Sequence, residues 1–136
     1  MKLLLLHSHE YWLKPFEKNL DSADPNAASI SCRDAVVALI HVEAYDEESA
    51  GTVITKAIKN IKWLIRKVGS EIVVLHSFAH LSTSKSDPVS AETIIRRMAE
   101  RLAATGLTVQ ITPFGYFNEF KIHVAGPSIA KVFIDI

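Results

Sequence analysis

Short apolar runs bounded by polar residues recur along the chain and predict the strands of a β-sheet. Three nearly continuous aliphatic runs are typical of strands buried on both faces, namely Lys2–His7, Arg33–Glu43 and Glu71–His76. Four less regular runs predict further strands at Glu10–Lys18, Leu107–Thr112, Phe117–Val124 and Ile129–Ile134. Pro15 makes Glu10–Lys18 a weak or edge strand, because proline cannot donate to a ladder. The polar stretch Asp21–Ser31 predicts a surface loop.

Two stretches have helical periodicity. Apolar residues recur every three or four positions from Ser49 to Val68, and Gly69 is suited to end this helix. A second helix is predicted to begin at Asp87-Pro88 or Ser90, to keep an apolar stripe as far as Leu102, and to stop at Gly106. The first helix also carries a basic stripe, for which a solvated face is favoured over a phosphate contact: Lys56, Lys59, Lys62 and Arg66.

The predicted order is three strands, a helix, a strand, a helix and three strands. This order indicates a mixed sheet with two main helices packed on it, of the α/β or α+β class. The first helix joins Arg33–Glu43 to Glu71–His76, so this unit is expected to be a right-handed crossover. With 136 residues and 49% hydrophobic content, the chain is expected to form one domain over residues 1–136.

Composition adds few constraints. The 15 basic and 15 acidic residues balance, so the net charge does not indicate a nucleic-acid partner, although a local basic surface stays compatible with one. The lone Cys32 excludes an internal disulfide and suits a reducing cytoplasm. The leucine run after Lys2 is too short for a signal peptide or a membrane span. A soluble, cytoplasmic protein without a membrane partner is expected.

The six histidines raise the question of a metal site. His7 and His9 share a face of one predicted strand, while His76 and His80 flank the end of another. The ligand patterns His-Glu-x-x-His and Cys-x-x-Cys are absent, so metal binding is disfavoured and no cofactor is predicted. The chain also has no Gly-x-Ser-x-Gly elbow and no phosphate-binding glycine loop, which leaves serine-hydrolase and nucleotide-hydrolase chemistry without support.

Two stretches are unlike the rest of the chain. Pro113–Ile122 has a Pro-Phe-Gly turn among aromatic residues, where Gly115 would let backbone approach a ligand closely. His76–Ser82 follows an aliphatic run directly. Together with Leu3–Ser8 and Val42-Glu43, they occur in the order found in the archaeal threonyl-tRNA synthetase editing domain, and the chain resembles that family over nearly its whole length.

The resemblance implies the fold of D-aminoacyl-tRNA deacylases, a homodimer, and hydrolysis of L-seryl-tRNA(Thr) with L-threonyl-tRNA(Thr) spared. The implied ligands are the aminoacyl group and the 3'-terminal adenosine of the tRNA. The residues implied to surround them are Val42, Ala79, His80, Phe117, Asn118 and Lys131, with Phe78, Phe114 and Gly115 beside them. Asn118 and His80 are the candidate catalytic side chains, and backbone amides near Ala79 and Gly115 are candidate oxyanion donors.

The chain departs from the family pattern at three of these positions. Phe117, Asn118 and Lys131 stand where the family usually has Tyr, Lys and an acidic residue. Two roles are therefore open for Lys131: a residue that binds the terminal adenosine, or a lysine that projects into solvent. Two further alternatives stay open: a non-catalytic tRNA-binding or dimerisation module, and a D-aminoacyl-tRNA deacylase. Threonine activation is expected to reside in synthetase catalytic modules, either in the same chain or on a partner protein.

Overall fold

The computed structural model describes residues 1–136 and contains six strands and two long helices. In chain order they are β1 (Lys2–Lys18), β2 (Ile30–His41), α1 (Ala50–Val68), β3 (Ile72–Ser77), α2 (Pro88–Ala103), β4 (Thr108–Ile111), β5 (Tyr116–Val124) and β6 (Lys131–Asp135). Short 3₁₀ turns lie at Ala44–Glu47 and Ser128–Ala130.

The strands form one mixed sheet in the order β4-β3-β2-β1-β5, with β6 also paired to β1. The β2–β3 and β3–β4 pairs are parallel, and each is connected through a helix, as expected for crossover units. The pairs that involve β1 are antiparallel. The predicted mixed sheet with two helices is therefore confirmed.

The prediction of two separate strands at Lys2–His7 and Glu10–Lys18 is wrong, because both belong to the 17-residue strand β1. The polar residues between them do not end the strand. Ser8 is fully buried and its hydroxyl donates to the Ala35 carbonyl at 3.1 Å, so it stays inside the ladder. His9 forms a bulge there, since the register with β5 shifts by one residue between Ser8 and Glu10.

The bulge changes which face of β1 points inward. The protein has two hydrophobic cores, one on each face of the sheet. Before the bulge, the even-numbered Leu4 and Leu6 face the smaller core, and after the bulge the odd-numbered Tyr11 and Leu13 face it. The facing strand β2 changes in the same place, at Asp34, whose φ is +49°. Matched irregularities in the two strands let the hairpin bend while its apolar side chains stay covered.

The bend is large, and its size can be read from one contact. In the ladders, Tyr11 lies opposite Cys32 on β2, and His76 of β3 lies opposite Leu39. Seven residues of β2 separate these two positions, which is about 23 Å along a flat strand. Nevertheless, the Tyr11 hydroxyl lies 3.0 Å from His76 Nδ1. The far half of the β1–β2 hairpin, with β5, therefore curls back over the sheet and is called the curled arm below.

The two faces of the sheet have separate cores. The larger cluster lies under α1 and α2 and includes Met1 together with Leu3 and Leu5 of β1. The smaller cluster lies beneath the curled arm, around Tyr11 and Leu13. No helix of the structure is long and apolar enough to cross a membrane.

The predicted end of α1 and the predicted start of α2 agree with the structure, whereas α2 ends at Ala103, before the predicted stop at Gly106. Gly69 ends α1 in the left-handed region, at φ 72°, and its amide donates to the Ile65 carbonyl. Asp87 is the N-cap of α2 and accepts from the Ser90 amide at 3.0 Å, with Pro88 in the first turn. Asp87 thus marks the end of the loop between β3 and α2, and that loop carries one wall of the site.

Candidate functional site

A cavity of about 360 Å³ opens at the edge of the sheet where β2 and β3 end. Its volume falls within the range of small-molecule sites. Seven of the residues implicated by the sequence line it together: Val42, Ala79, His80, Phe114, Gly115, Phe117 and Asn118. Two separate segments supply most of them, one after β3 and one that runs from the loop between β4 and β5 into the start of β5.

The first wall is the turn that follows β3. The Phe78 amide donates to the Ile40 carbonyl at 2.8 Å, and the His80 amide donates to the Phe78 carbonyl at 2.9 Å. The second of these bonds closes a three-residue turn with Ala79 at its tip. The Ala79 amide donates to no acceptor within the chain, so it remains available to a ligand in the cavity.

His41 anchors the loop beyond this turn. Its Nδ1 accepts from the Leu81 amide at 2.9 Å, and its Nε2 lies 2.7 Å from the Ser84 carbonyl. Since a backbone amide can only donate, the ring proton must be on Nε2, which donates to Ser84. His41 is fully buried and fixes both ends of a short loop, a role that no sequence pattern indicates.

Glu43 fastens the same loop from its other side. Its carboxylate accepts from the Ser82 hydroxyl at 2.7 Å and pairs with the Met1 ammonium at 2.9 Å and with Lys2 at 3.1 Å. Partial burial opposes ionisation, but these hydrogen bonds and the ammonium charge outweigh it and lower the pKa of Glu43 to about 2. The loop is therefore tied to an ionised carboxylate at neutral pH.

The second wall is the segment between β4 and β5, and it depends on Gly115. This glycine has a φ of +79°, and a Cβ built on it would lie 2.9 Å from Ala23 Cβ and 3.2 Å from Leu20 Cβ. Its carbonyl accepts from the amides of Asn19 and Leu20 at 2.7 and 3.1 Å. This glycine thus permits a close approach to the loop between β1 and β2, which is called the hairpin loop below, and not to a ligand. Like Ala79, Gly115 has an amide that donates to no acceptor within the chain.

Asn118 brings an unsatisfied oxygen to this wall. Its Oδ1 is buried and has no hydrogen-bond partner in the protein, and the residue lines the cavity. A buried acceptor without a donor costs about 1–3 kcal/mol, so such groups are rare unless a ligand or solvent satisfies them. A donor group bound in the cavity would remove that cost.

Two residues implicated by the sequence do not line the cavity. Phe78 packs against the smaller core, with its ring edge-on to His80 at 4.9 Å and to His76 at 5.9 Å between centroids. Lys131 begins β6 opposite Leu6, and its ammonium donates to the carbonyls of residues 125, 126 and 127 at 2.8, 3.1 and 3.3 Å. The Lys131 side chain therefore holds a loop instead of projecting freely into solvent.

Other residues line the cavity without having been predicted. Lys85 supplies its cation and takes part in no ion pair, while the lining contains no Asp or Glu. Tyr116 belongs to the aromatic stretch noted in the sequence, and its hydroxyl donates to the Asp24 carbonyl at 2.5 Å. The remaining polar members are Asn19, Ser77 and Ser86. Lys85 and Ser86 lie in a polar loop without periodicity, which gave no signal.

No group of three or more His, Cys, Asp or Glu side chains is arranged to hold a metal ion. His9 lies between His7 and His123, with ring centroids 6.3 and 5.0 Å apart, and His7 Nε2 contacts Asp34 at 2.7 Å. His76 packs in the smaller core, where burial lowers its pKa to about 4. Its ring is neutral at pH 7 and accepts from, or donates to, the Tyr11 hydroxyl.

With this geometry established, comparison with known proteins identifies the family. The family model described as the archaea-specific editing domain of threonyl-tRNA synthetase matches residues 1–136. The chain belongs to this family. The editing domain is 31% identical over 134 residues to the threonine–tRNA ligase of Thermofilum pendens, and 34% identical over 135 residues to that of Pyrococcus horikoshii. Each match covers 97% of the chain but only 22% of the ligase, so the chain spans about a fifth of the length of these relatives.

A solved structure shares the fold of the editing domain. The c-Myc DNA Unwinding Element Binding Protein superposes with a TM-score of 0.68 over 100% of this chain and 99% of its own, at 10% sequence identity. At that identity the likeness concerns the fold alone. It agrees with the mixed sheet and two helices expected from the sequence.

Proposed function

We propose that this editing domain hydrolyses the ester of L-seryl-tRNA(Thr), releases L-serine and spares L-threonyl-tRNA(Thr). The observation that carries the proposal is the meeting of the Ala79-His80 turn and the Gly115–Asn118 segment around one cavity. Each segment brings an amide without an internal acceptor, and the second also brings the unsatisfied oxygen of Asn118.

The reaction adds one water across the ester. The water oxygen bonds to the seryl carbonyl carbon, the bond from that carbon to the ribose oxygen breaks, and the ribose oxygen takes up a proton. Negative charge develops on the carbonyl oxygen in the transition state, and fixed N–H donors stabilise it there. The amides of Ala79 and Gly115 are the proposed donors, because both residues line the cavity and neither amide is used within the chain.

The side chains of the cavity are proposed mainly to bind and orient. Asn118 Oδ1 would accept from the seryl ammonium, the seryl hydroxyl or the attacking water. His80 would contact the seryl group, with the Phe78 ring packed behind it at 4.9 Å. Lys85 would neutralise the phosphate next to the terminal adenosine, since it is the cation of the lining.

Discrimination against threonine is proposed to be steric. Threonine differs from serine by one methyl group, and one methylene is worth only about 1–3 kcal/mol in a binding pocket. A synthetic site therefore cannot reject serine adequately by binding alone. A hydrolytic cavity can exclude the larger side chain, and the small Ala79 at the tip of its turn leaves room for a seryl group only.

Three further parts of the proposal concern the surroundings of the domain. We propose that it works as a homodimer, as the resemblance to its family implies. It would act in the cytoplasm, together with synthetase catalytic modules in the same chain or on a partner. Light scattering at micromolar concentration gives the oligomeric state directly, and a monomer there would contradict the dimer.

Deacylation time courses on three substrates test the function. Wild-type protein should release serine from L-seryl-tRNA(Thr) and leave both L-threonyl-tRNA(Thr) and a D-aminoacyl-tRNA intact. Release of the D-amino acid with L-seryl-tRNA left intact would indicate a D-aminoacyl-tRNA deacylase instead. No release from any of the three, with tRNA binding retained, would indicate a non-catalytic module.

A further inference from the structure

The outer surface of the two helices has a charge unlike that of the rest of the molecule. Helix α1 contains five Lys or Arg residues and no Asp or Glu, and α2 contains three Lys or Arg and two Glu. The helices together therefore carry +6, whereas the whole chain has a formal net charge of 0. The remaining residues must carry −6. Charge is strongly segregated in a protein whose overall composition is balanced.

Helical spacing places five of these cations on the two helix faces that are joined by a contact between Arg101 and Thr55. Arg101 of α2 donates through Nη1 to Thr55 Oγ1 of α1 at 3.0 Å, which marks the faces that meet. Along α1, positions 59, 62 and 66 follow Thr55 at helical spacing, so they continue that face. On α2, position 97 lies one turn before Arg101. The resulting set is called the basic strip: Lys59, Lys62, Arg66, Arg97 and Arg101.

The basic strip has no acidic partner. None of its members takes part in any of the six ion pairs of the structure. Arg96, on another side of α2, differs because it is paired with Glu92 at 2.7 Å. Four members of the strip are exposed and Lys62 is partly so. Like charges placed side by side on a surface repel one another, and a polyanion would relieve that repulsion.

The position of the strip relates it to the cavity. Pro88 and Ala91, in the first turn of α2, line the cavity. Arg97 and Arg101 follow Pro88 by nine and thirteen residues, or about 14 and 20 Å along the helix axis. A chain of phosphates whose terminal ester occupies the cavity would therefore meet the strip as it leaves along α2.

We propose that the basic strip binds the phosphate backbone of the RNA whose 3' end enters the cavity. This inference rests on the proposed function, which makes an aminoacylated RNA the substrate. The strip contacts phosphates without reading bases, so its contribution is electrostatic and depends on salt. The strip is separate from the residues that bind the aminoacyl ester.

Two triple variants with equal loss of charge provide the test. The first is Lys59→Gln/Lys62→Gln/Arg66→Gln in the strip. The matched control is Lys14→Gln/Arg33→Gln/Lys121→Gln on the exposed face of the curled arm, where the same number of lysines and arginines is removed. Melting temperatures check that both variants fold. The binding probe is deacylated tRNA(Thr), whose affinity is measured over a series of salt concentrations. A second assay follows hydrolysis of the seryl ester of adenosine.

The strip variant should bind tRNA at least roughly tenfold more weakly than the wild type. The logarithm of its association constant should also depend less steeply on the logarithm of the salt concentration, with the magnitude of the slope smaller by about 2 to 3. The control should keep the wild-type affinity and slope. Both should hydrolyse seryl-adenosine at the wild-type rate, because that substrate lacks the phosphates of the RNA backbone.

Wild-type tRNA affinity and slope in the strip variant would overturn the proposal, as would equal losses in the strip and control variants. Failure of the wild-type protein to hydrolyse seryl-adenosine and seryl-tRNA would instead contradict the proposed function. In that event the comparison of the two salt slopes would still decide whether the strip binds RNA.

Discussion

The two walls of the cavity are held in place by different forces. The Ala79-His80 turn is followed by a loop that depends on polar side chains, with His41 bonded to Leu81 and Ser84 and Glu43 bonded to Ser82. The Gly115 wall depends on backbone conformation and on close packing with Leu20 and Ala23. The first wall should therefore respond to changes in protonation, and the second to any added side-chain atom.

The largest effect is expected for Gly115→Ala. An added Cβ would face a positive φ and a 2.9 Å approach to Ala23, so the wall and the hairpin loop must separate. The free energy of unfolding should fall by about 2–3 kcal/mol, and deacylation of L-seryl-tRNA should fall with it. Chemical denaturation gives the first value and single-turnover assays the second.

Gly51→Ala is the matched control, since nothing lies within 4 Å of a Cβ built at Gly51 and the residue is helical. Alanine should stabilise α1 slightly, by no more than about 1 kcal/mol. Equal stability of the two variants would show that the second wall does not depend on close packing.

An effect on stability of comparable size, but dependent on pH, is expected at His76, which lies in β3 just before the first wall. Its pKa is about 4 in the folded protein and 6.5 in a model peptide. Between these values the unfolded chain binds a proton that the folded chain does not, so stability falls as the pH drops from 6.5 towards 4. The total is about 3 kcal/mol, from the pKa difference at about 1.4 kcal/mol per unit.

His76→Asn separates this contribution from that of other groups. Its amide oxygen can accept from the Tyr11 hydroxyl in place of Nδ1 but does not titrate. The variant should lose less stability between pH 6.5 and 4 than the wild type does. If denaturation curves of the two proteins showed the same dependence on pH, burial of a neutral His76 would not be the cause.

The smallest effect is expected for Asn118→Ala. If backbone amides stabilise the transition state, the loss of one orienting acceptor should slow single-turnover deacylation by no more than roughly tenfold, or about 1.4 kcal/mol. Removing an unsatisfied buried oxygen should also leave the stability unchanged or slightly raised. Abolition of the reaction would show that this side chain carries the chemistry.

Lys131→Ala is a useful companion, because it changes a residue that the sequence implicated but that lies outside the cavity lining. Deacylation by this variant should match the wild type at saturating tRNA, while stability should drop as three carbonyls lose a donor. A loss of tRNA affinity with unchanged stability would show instead that the Lys131 side chain binds the tRNA.

The helices and buried strands could be predicted from the sequence because each has a local signal. The stripe from Ser49 to Val68 and the glycine after it agree with α1 almost to the residue. The curled arm could not be predicted in this way. At His9, a polar residue forms a bulge inside a continuous strand, and sequence alone cannot distinguish a bulge from the end of a strand.

The same limit applies to the site. The Ala79-His80 turn and the Pro113–Phe117 segment stand out as unusual interruptions of apolar runs, but it is their resemblance to the editing-domain family that implicates them in a site. His41 and Lys85 were not predicted, since a histidine at the end of a buried strand and a lysine in a polar loop are ordinary in sequence. Their roles depend on how β2, β3 and the loop before α2 meet, which is a property of the folded chain.

The central claim is that the cavity between the two walls is the place where the seryl ester is hydrolysed. Its most direct test is single-turnover deacylation of L-seryl-tRNA(Thr) by Ala79→Phe, with Ala103→Phe on the exposed side of α2 as the control for size. A phenyl ring at the tip of the turn should fill the space for the seryl group, so serine release should fall to the uncatalysed rate while the melting temperature stays near that of the wild type. The control should react as the wild type does. Undiminished serine release by a folded Ala79→Phe protein would contradict the placement of the reaction in this cavity.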